Sequence, residues 1–335
     1  MTTAFANALM NQYGSEKTPF LFVIDFEMEK PFVVRLDDLK NENIRCAIHD
    51  GIIDFEFTGP SQQSVKSVII EKEVIDFPTY QKAFDLVKNN LLAGNSFLTN
   101  LTVETPVSLN ASLDLIFDKA NAKYKLYFKD LFLCFSPETF VQIDPDGKIS
   151  SFPMKGTIDA EIPGAKEIIM KDEKELFEHT TIVDLIRNDL SKVCSKVWVE
   201  DFRYIENISK EGGGELLQVS SKVSGLLPSD WQHHIGDIIS SMLPAGSISG
   251  APKPKTLEII REAEKITYHK NHKRGYYTGI FGIFDGKQLS SGVMIRYIEN
   301  TPSGLVYKSG GGITARSSAG NEYQEMIQKI YVPIL

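Results

Sequence analysis

The sequence predicts an α+β fold, in which antiparallel strands and helices occupy separate groups along the chain. Short runs of aromatic and β-branched residues, the composition typical of strands, follow one another with tight turns between them. The turn Asp-Pro-Asp-Gly at 144–147 joins runs at 139–143 and 148–152 into a predicted hairpin. Helical patterns stand between groups of strands rather than after every strand, and this order favours α+β over a parallel βαβ fold.

Strand patterns lie on both sides of a helical middle. Before it they cover 20–26, 32–36, 52–57, 96–107, 124–135, 139–143 and 148–152. After it they cover 196–208, 215–223, 276–284, 288–299 and 305–308. Helices are predicted at 80–92, 111–122, 164–193, 231–243, 255–265 and 322–331. In the 164–193 segment apolar residues recur at spacings of three and four, which is the period of a helix with one buried face.

Composition excludes several classes of function. The 335-residue chain has 36 basic and 44 acidic side chains and no polybasic run, so we expect no nucleic-acid partner. Its three cysteines are far apart and outside any CxxC motif, which is typical of reduced cytoplasmic thiols. The N-terminus does not resemble a secretion signal, and no apolar run has the length of a membrane helix. We therefore expect a cytoplasmic globular protein.

Two glycine-rich segments are candidates for anion binding. The first, 244–253, joins two predicted helices, and the second, 310–314, lies between the last predicted strand and the last helix. Segments without large side chains expose backbone N–H groups, which can bind a carboxylate or a phosphate. Neither segment has the pattern of a nucleotide-binding loop. For each segment, an ordinary tight turn is an equal alternative.

Two pairs of glutamates have a spacing that suits a metal site. Glu175 and Glu178 are three residues apart on one predicted helix, and Glu322 and Glu325 are three residues apart on another. This spacing places both carboxylates of a pair on one helix face. If the two faces meet, their oxygens suit a hard divalent cation such as Mg²⁺. A solvated acidic face is the alternative for either pair alone.

A carboxylic acid and an amine flank the hairpin predicted at 139–152. Glu138 directly precedes its first strand, and Lys155 lies three residues after its second. Because both residues leave the same hairpin, we expect them to lie near each other. In a concave site they could act as a proton donor and an amine nucleophile, provided that Lys155 loses its proton through desolvation or a nearby cation. A surface salt bridge is the alternative.

Seven motifs, taken in order, resemble the chorismate-utilising enzymes, a family that includes anthranilate, aminodeoxychorismate, isochorismate and salicylate synthases. The motifs are FSPETF (135–140), PMKGT (153–157), EHTTIVDLIRNDL (178–190), LPAGSISGAPKPKTLEII (243–260), RGYYTGIFGIFDG (274–286), GVMIRY (292–297) and GGGITARSSAGNEYQEMIQK (310–329). Their joint order makes the resemblance specific.

The resemblance implies a single domain over residues 1–335, with two packed, mainly antiparallel sheets surrounded by helices. Residues 96–335 would form the catalytic core, and residues 1–95 a shorter and less typical N-terminal part. The segment with which long members of the family bind tryptophan as a feedback inhibitor is not evident. We therefore expect no inhibition by tryptophan.

The resemblance also assigns binding residues. In the family, one glutamate from each of two helices binds Mg²⁺, and the cation holds the ring carboxylate of chorismate. The matching ligands are Glu178 and Glu325, with Glu175 and Glu322 beside them. Contacts to the ring carboxylate or the metal match Gly156, Thr157, Gly310, Gly312 and Lys329. The positions that hold the enolpyruvyl group match Tyr277 and Arg296, and a guanidinium suits a carboxylate physically.

Two positions indicate which reaction of the family to expect. Lys155 stands where aminodeoxychorismate synthases have lysine and anthranilate synthases have alanine. The resemblance implies that this amine attacks C2 of chorismate while Glu138 protonates the departing C4 hydroxyl, after which ammonia adds at C4 and expels the lysine. Isochorismate and salicylate synthases use a lysine to activate water where this chain has Leu98. We therefore expect 4-amino-4-deoxychorismate, a precursor of p-aminobenzoate and folate.

Two residues depart from the family pattern, and the sequence has no motif for releasing ammonia from glutamine. Amination enzymes usually have glutamine in place of Leu98, and many members have histidine in place of Gln218. That histidine is associated with loss of pyruvate in anthranilate formation, so its absence fits a product that keeps its enolpyruvyl group. No glutamine amidotransferase motif is present, and we expect a separate glutaminase subunit to deliver ammonia.

Three other functions remain open at this point. Within the family, the chain could be an anthranilate synthase component I. A metal-dependent hydrolase could use the four glutamates to activate water, but it would leave Lys155, Tyr277 and Arg296 without a role. A binding subunit without turnover is the third possibility, and the intact Glu138 and Lys155 argue against it.

Overall fold

The computed structural model describes residues 1–58, 68–209, 214–270 and 272–334. Its helices are α1 (Thr3–Ser15), α2 (Phe77–Leu92), α3 (Leu113–Lys119), α4 (Ala165–Lys171), α5 (Glu173–Ser191), α6 (Ile235–Met242), α7 (Gly246–Ser249), α8 (Lys253–Thr267) and α9 (Ala319–Gln328). Short 3₁₀ helices cover Leu36–Asn41 and Trp231–His234.

The strands of the first half are β1 (Phe20–Ile24), β2 (Phe32–Arg35), β3 (Ile44–His49), β4 (Asp54–Phe57), β5 (Ile70–Lys72), β6 (Leu98–Leu109), β7 (Tyr124–Phe128), β8 (Phe132–Ser136), β9 (Thr139–Ile143), β10 (Lys148–Ser151) and β11 (Met154–Asp159). Those of the second half are β12 (Lys196–Ser209), β13 (Glu215–Leu226), β14 (Gly250–Ala251), β15 (Ile280–Phe284), β16 (Leu289–Val293), β17 (Tyr297–Thr301) and β18 (Gly304–Ile313).

These strands form two sheets of nine strands each. The order in the first sheet is β11-β13-β10-β9-β16-β15-β1-β2, and β12 also pairs with β13. The order in the second is β14-β6-β18-β17-β8-β7-β3-β4, and β5 also pairs with β6. All pairings between these strands are antiparallel in the described residues. The predicted α+β fold with two antiparallel sheets is confirmed.

Strand β1 shows how the layers pack. All of its residues are buried, so the strand contacts protein on both faces. Alternate side chains of a strand point to opposite faces. Phe20, Phe22 and Ile24 pack with residues of α1 and α6, whereas Leu21 and Val23 pack with residues of β7 and β8 in the second sheet. Each such side chain contributes roughly 1.5–3 kcal/mol through burial, and the two sheets are thereby held face to face.

Helices cover the outer faces of both sheets. On the second sheet, α2, α8 and α9 pack over β6 and β18 in one apolar cluster that includes Val87, Leu101 and Met326. On the first sheet, α5 joins the cluster of α1 and α6 through Ile182 and Ile186. Helices α5 and α9 therefore pack on different sheets. None of the helices in the described ranges combines the length and apolar character that a bilayer crossing requires.

Two predicted strands are wrong because each is in fact a pair of strands. The strand predicted at 288–299 is β16 in the first sheet and β17 in the second. The chain changes sheets at Arg296, whose φ of +55° is uncommon for a residue other than glycine. The strand predicted at 124–135 is the hairpin of β7 and β8. In both runs apolar residues stand on either side of the break, so hydrophobic periodicity gives no sign of it.

The glycine segment at 310–314 is also different from its prediction. Gly310, Gly311 and Gly312 belong to β18 and pair with β6, rather than forming a loop. A Cβ placed on Gly310 would lie 2.2 Å from the carbonyl oxygen of Leu101, so a side chain does not fit there. Glycine is uncommon inside strands, and it often marks a close approach of backbone. The run of three glycines therefore predicted a turn, whereas it forms a strand whose backbone packs closely against that of β6.

One helical prediction is wrong, and one helix was not predicted. The segment 164–193 is two helices, because Asp172 ends α4 and then caps α5 by accepting a hydrogen bond from the Glu175 amide over 2.9 Å. An aspartate at this position satisfies one of the free N–H groups of a helix start. Helix α1 was not predicted at all, although its buried Ala6 and Met10 recur at a helical spacing of four.

Candidate active site

A cavity of about 270 Å³ lies where elements of both sheets meet. Strands β9 and β11, helix α5 and the 243–252 loop form one side, and β18, α9 and residues 295–296 contribute the other. The predicted site residues that line it are Glu138, Lys155, Gly156, Thr157, Tyr277, Arg296, Gly310, Gly312, Glu325 and Lys329. The other three predicted residues, Glu175, Glu178 and Glu322, are not part of its lining.

A β-bulge brings Lys155 to the cavity. In the pairing of β11 with β13, Met154 lies opposite Ser220 and Thr157 opposite Gln218, so β11 holds one extra residue between these pairs. Gly156 has a φ of +77°, which a glycine adopts without strain. Bulges bend a strand and redirect its side chains. The Lys155 Nζ lies 3.4 Å from the point that a Cβ on Gly312 would occupy, so its amine reaches the second sheet.

Glu138 lies between Pro137 and the start of β9, and its carboxyl is hydrogen-bonded. The Ser247 hydroxyl donates to Glu138 Oε1 over 2.6 Å. Burial raises the pKa of Glu138, and the Ser247 hydroxyl and the nearby Lys155 oppose this rise by favouring the carboxylate. A carboxyl group whose pKa is raised keeps its proton at a higher pH than a solvated one, and this suits a proton donor.

Lys329 is fixed by two contacts at the end of α9. Its Nζ lies 2.7 Å from Glu325 Oε1 and donates to the Gly310 carbonyl over 2.9 Å. Burial lowers the pKa of Lys329, and the Glu325 carboxylate opposes this effect. Four cationic side chains line the cavity, those of Lys155, Arg296, Lys308 and Lys329, against three acidic ones, those of Glu138, Asp189 and Glu325. Such a cavity is suited to an anion with more than one carboxylate.

Tyr277 and Arg296 form a further part of the cavity wall. Tyr277 is 4% exposed and packs on Tyr297, with ring centroids 5.7 Å apart. Burial raises its pKa, so the phenol stays neutral and can donate a hydrogen bond. The Arg296 guanidinium carbon lies 5.2 Å from the centre of the Tyr331 ring. An arginine stacked in this way presents a planar fork that can bind a carboxylate through two hydrogen bonds.

The two glutamate pairs lie on helices from opposite sides of the cavity. Glu175 and Glu178 are on α5, and Glu322 and Glu325 are on α9. A Cβ on Gly311 would lie 3.6 Å from Glu325 Oε1 and 3.7 Å from Glu322 Oε2, so the α9 pair faces the glycines of β18. Glu178 and Glu322 are each only 5% exposed.

Carboxylates of this kind fit Mg²⁺ chemically. Within the described ranges, no three or more His, Cys, Asp or Glu side chains form a ready-made metal cluster. Magnesium needs no such cage, since it keeps several waters and often takes only one or two protein carboxylates together with oxygens of the substrate. One glutamate from α5 and one from α9 would meet that requirement, and Glu178 and Glu325 remain the predicted ligands.

Of the two residues that depart from the family pattern, Gln218 lines the cavity and Leu98 lies behind Gly312 in its wall. Leu98 is 1% exposed, and its Cδ1 lies 3.1 Å from the position that a Cβ on Gly312 would occupy. Lys155 Nζ lies close to the same position. Gln218 lines the cavity opposite Thr157. Leu98 places a hydrocarbon surface beside the amine, so no acid or base can act from that position.

Ser247 and Arg274 were not predicted as site residues. Ser247 was part of the glycine-rich segment 244–253, which was considered only for its backbone N–H groups. Arg274 is fully buried, with no exposed surface. A charged residue is rarely buried unless it is paired, and the Gly-Tyr-Tyr-Thr-Gly run that follows Arg274 gave no indication of its partners. The proline-rich composition of 244–253 was the available signal for Ser247.

Comparisons with known proteins identify the family of this chain. The family model described as chorismate binding enzyme matches residues 21–334. A Haemophilus influenzae protein named "Uncharacterized PabA-like protein" is 48% identical over 332 residues, covering 97% of this chain and 95% of its own. Aminodeoxychorismate synthase component 1 of Bacillus subtilis is 30% identical, covering 75% of this chain and 54% of its own. Anthranilate synthase component 1 of Synechocystis is 32% identical, with 73% and 50% covered.

Solved structures share the fold. The menaquinone-specific isochorismate synthase of Escherichia coli superposes with a TM-score of 0.70 at 13% identity, covering 98% of this chain and 81% of its own. Anthranilate synthase component I of Streptococcus pneumoniae gives a TM-score of 0.64 at 24% identity, with 78% and 58% covered. The matched family model spans nearly the whole chain. The chain therefore belongs to the chorismate binding enzymes.

Proposed function

We propose that this protein is component I of an aminodeoxychorismate synthase, which converts chorismate and ammonia to 4-amino-4-deoxychorismate and water. The observation that carries this proposal is the position of Lys155, whose amine lies in the cavity between the two sheets. The Bacillus subtilis relative, named as a synthase of this kind, supports it. The expected use of the product in p-aminobenzoate and folate synthesis is part of the proposal.

The proposed reaction begins with attack by the Lys155 nitrogen on C2 of the chorismate ring. A C2–N bond forms, the ring double bonds shift, and the C4–O bond breaks. Glu138 gives its proton to the departing oxygen, which leaves as water, and the proton released by the lysine nitrogen restores the acid. Such a step splits one difficult substitution into two easier ones. A positioned acid typically contributes 10²–10⁴-fold to the rate.

Ammonia completes the reaction in the second step. It forms a bond to C4, the double bonds shift back, and the C2–N bond breaks. The nitrogen from ammonia gives up one proton and the departing lysine nitrogen takes up one, so Lys155 returns as the free amine. Glutamine is the proposed source of ammonia, through a separate glutaminase subunit, and the PabA-like name of the Haemophilus influenzae relative supports this partner.

The remaining site residues are proposed to bind the substrate's carboxylates. The ring carboxylate would contact Gly156, Thr157, Gly310, Gly312 and Lys329. The enolpyruvyl group would lie against Tyr277 and the guanidinium of Arg296. Glu178 and Glu325, with Glu175 and Glu322 beside them, would hold Mg²⁺, which neutralises the ring carboxylate when it is bound. The excess of basic over acidic side chains in the cavity supports these assignments, because chorismate is a dicarboxylate.

Anthranilate synthesis is the second candidate, favoured by the 32% identity to the Synechocystis enzyme. One experiment separates the two. The purified chain is incubated with chorismate, MgCl₂ and an ammonium salt, and the product is identified by mass. Aminodeoxychorismate without pyruvate supports the proposal, whereas pyruvate with a fluorescent aromatic product that Lys155→Ala also makes would establish anthranilate synthesis. Hydrolysis of a phosphoester without use of chorismate would contradict both.

A further inference from the structure

The 243–252 loop brings one hydroxyl group to the proposed acid. The loop joins α6 to α8, and its short helix α7 includes Ser247. Ser247 lies 109 positions after Glu138 in the chain, yet its hydroxyl donates to Glu138 Oε1 over 2.6 Å. Both side chains line the cavity. The contact therefore depends entirely on where the fold places the loop.

The base of the loop is fixed by Lys253. Its Nζ donates to the Met242 carbonyl over 2.8 Å and to Asp189 Oδ1 of α5 over 2.6 Å. Met242 precedes the loop and Lys253 follows it, so one ammonium group joins both ends of the loop to α5. Gly246 packs on the same aspartate, where a Cβ would lie 3.1 Å from Asp189 Oδ2. The ends of the loop therefore have a defined position.

The middle of the loop is fixed by the buried Arg274. One terminal nitrogen of its guanidinium donates to the Ile248 carbonyl over 2.9 Å, and the other donates to the Asn100 carbonyl over 2.8 Å. Its Nε donates to Glu264 Oε1 over 2.8 Å. Ile248 directly follows Ser247, so Arg274 ties the neighbour of the serine to β6 and α8. The loop is therefore already ordered in the folded protein. The Ser247 hydroxyl loses little further conformational freedom when it binds Glu138.

We propose that Ser247 is a positioning residue, which orients the Glu138 carboxyl and stabilises the carboxylate that remains after proton transfer. This inference rests on the proposed role of Glu138 as the general acid. Since Oε1 accepts the hydrogen bond from Ser247, the transferable proton belongs on Oε2. Proton transfer leaves a carboxylate whose Oε1 already has its donor, and a donor of this kind favours the charged form.

Other groups near Glu138 remain in place when Ser247 is changed. Lys155 comes from β11, Arg296 from the connection of the two sheets and Lys329 from α9, and all three favour the carboxylate. The Tyr277 phenol also faces Glu138 and is held neutral by its burial. A Ser247 variant therefore changes one hydrogen bond to Glu138 and leaves these charges unchanged.

The test compares Ser247→Ala and Ser247→Thr with Ser249→Ala as a matched control. Ser249 is in the same loop, but its hydroxyl donates to the Ala245 carbonyl over 2.8 Å. In Ser247→Ala we expect kcat for chorismate to fall about tenfold or more with KM changed less than about twofold, because a hydrogen bond to a charged group is lost. The high-pH limb of the rate profile should move up by about one pH unit. Ser247→Thr should restore both values, and Ser249→Ala should leave the limb unmoved.

A second measurement does not need turnover. Infrared titration of the free protein identifies the Glu138 carboxyl band as the one lost in Glu138→Gln, and its midpoint should be higher in Ser247→Ala than in wild type. Equal midpoints, or a wild-type rate profile in Ser247→Ala, would overturn the role of Ser247. If wild-type protein does not consume chorismate, the proposed function fails, and the infrared midpoints still decide the inference.

Discussion

Lys155 and Lys329 approach one cavity from opposite sheets, and their amines differ in the contacts that they make. Lys329 is held by the Glu325 carboxylate and the Gly310 carbonyl. For Lys155 the described residues provide neither a hydrogen bond nor an ion pair, and its amine lies against Gly312 and near Leu98. A fixed cation suits the binding of a carboxylate, whereas an attacking amine must move towards carbon. The difference supports the proposed roles, binding for Lys329 and chemistry for Lys155.

The backbone around each lysine also differs, in a way that matches the difference in contacts. Lys155 is on a bulged strand whose next residue, Gly156, has a φ of +77°. Lys329 ends a helix that packs on the second sheet through Met326. A bulge redirects a side chain without anchoring it, and a packed helix end holds its side chain in one direction. Changes at the two lysines should accordingly affect different kinetic constants.

The largest expected effect is the loss of the Lys155 amine. Lys155→Ala should lower formation of aminodeoxychorismate by about 10³-fold or more, because the covalent step is lost. Lys155→Arg is the matched control, since it keeps the charge but not the nucleophile, and it should be equally inactive. Thermal unfolding should change little in both variants, as no fixed contact is removed. Wild-type turnover in either variant would remove the covalent step.

Removing a predicted metal ligand should have the next largest effect. Glu325→Gln replaces a carboxylate with a neutral amide, which is a weaker ligand for a hard cation. The concentration of Mg²⁺ that gives half-maximal activity should rise about tenfold or more. Glu173→Gln, at the exposed start of α5, is the control and should not change it. A titration of Glu325→Gln that coincides with wild type would contradict the metal assignment.

Removing the fixed cation should change binding more than chemistry. Lys329→Met should raise KM for chorismate about tenfold and lower kcat much less, since one charge partner of a carboxylate is lost. The free energy of unfolding should fall by about 1 kcal/mol, because Glu325 is half exposed and its ion pair contributes little. Steady-state kinetics and urea unfolding measure the two effects. A loss confined to kcat would reverse the division between the lysines.

The smallest effects should come from two adjacent glycines. A Cβ on Gly311 would lie 3.4 Å from Lys329 Nζ, and a Cβ on Gly312 would lie 3.4 Å from Lys155 Nζ. Gly311→Ala should therefore raise KM a few-fold, and Gly312→Ala should lower kcat a few-fold by displacing the amine. The two variants differ by one position in the same strand and act as controls for each other. Identical kinetic changes in both would contradict the comparison.

Much of the fold could be predicted from local patterns, and the failures have a common cause. Turn residues at 144–147 correctly predicted the hairpin of β9 and β10. The change of sheet at Arg296 could not be predicted, because apolar residues at 293–295 and 297–298 stand on both sides of it and give the pattern of one strand. Gly310–Gly312 was similarly misread, since its strand character depends on pairing with β6, more than 200 residues earlier in the chain.

The residues that line the site could be predicted from the sequence, but the residues that hold them in position could not. The predicted hairpin placed Glu138 and Lys155 near each other, and both line the cavity. Ser247 and Arg274 act through partners that are far away in sequence, and neither spacing nor composition identifies those partners. A buried guanidinium such as Arg274 requires carbonyl groups from several elements, which only the folded chain brings together. The roles of the predicted site residues remain predictions that the variants above test.

The central claim is that the Lys155 amine bonds to chorismate, and intact-protein mass spectrometry tests it most directly. Protein is mixed with chorismate and MgCl₂ without ammonia, quenched in acid, weighed and digested. We predict a species heavier by chorismate less one water, with the added mass on the peptide that contains Lys155 and absent from Lys155→Arg. Aminodeoxychorismate formed on adding ammonia, with no adduct on the wild-type protein or with the adduct on another residue, would contradict the account.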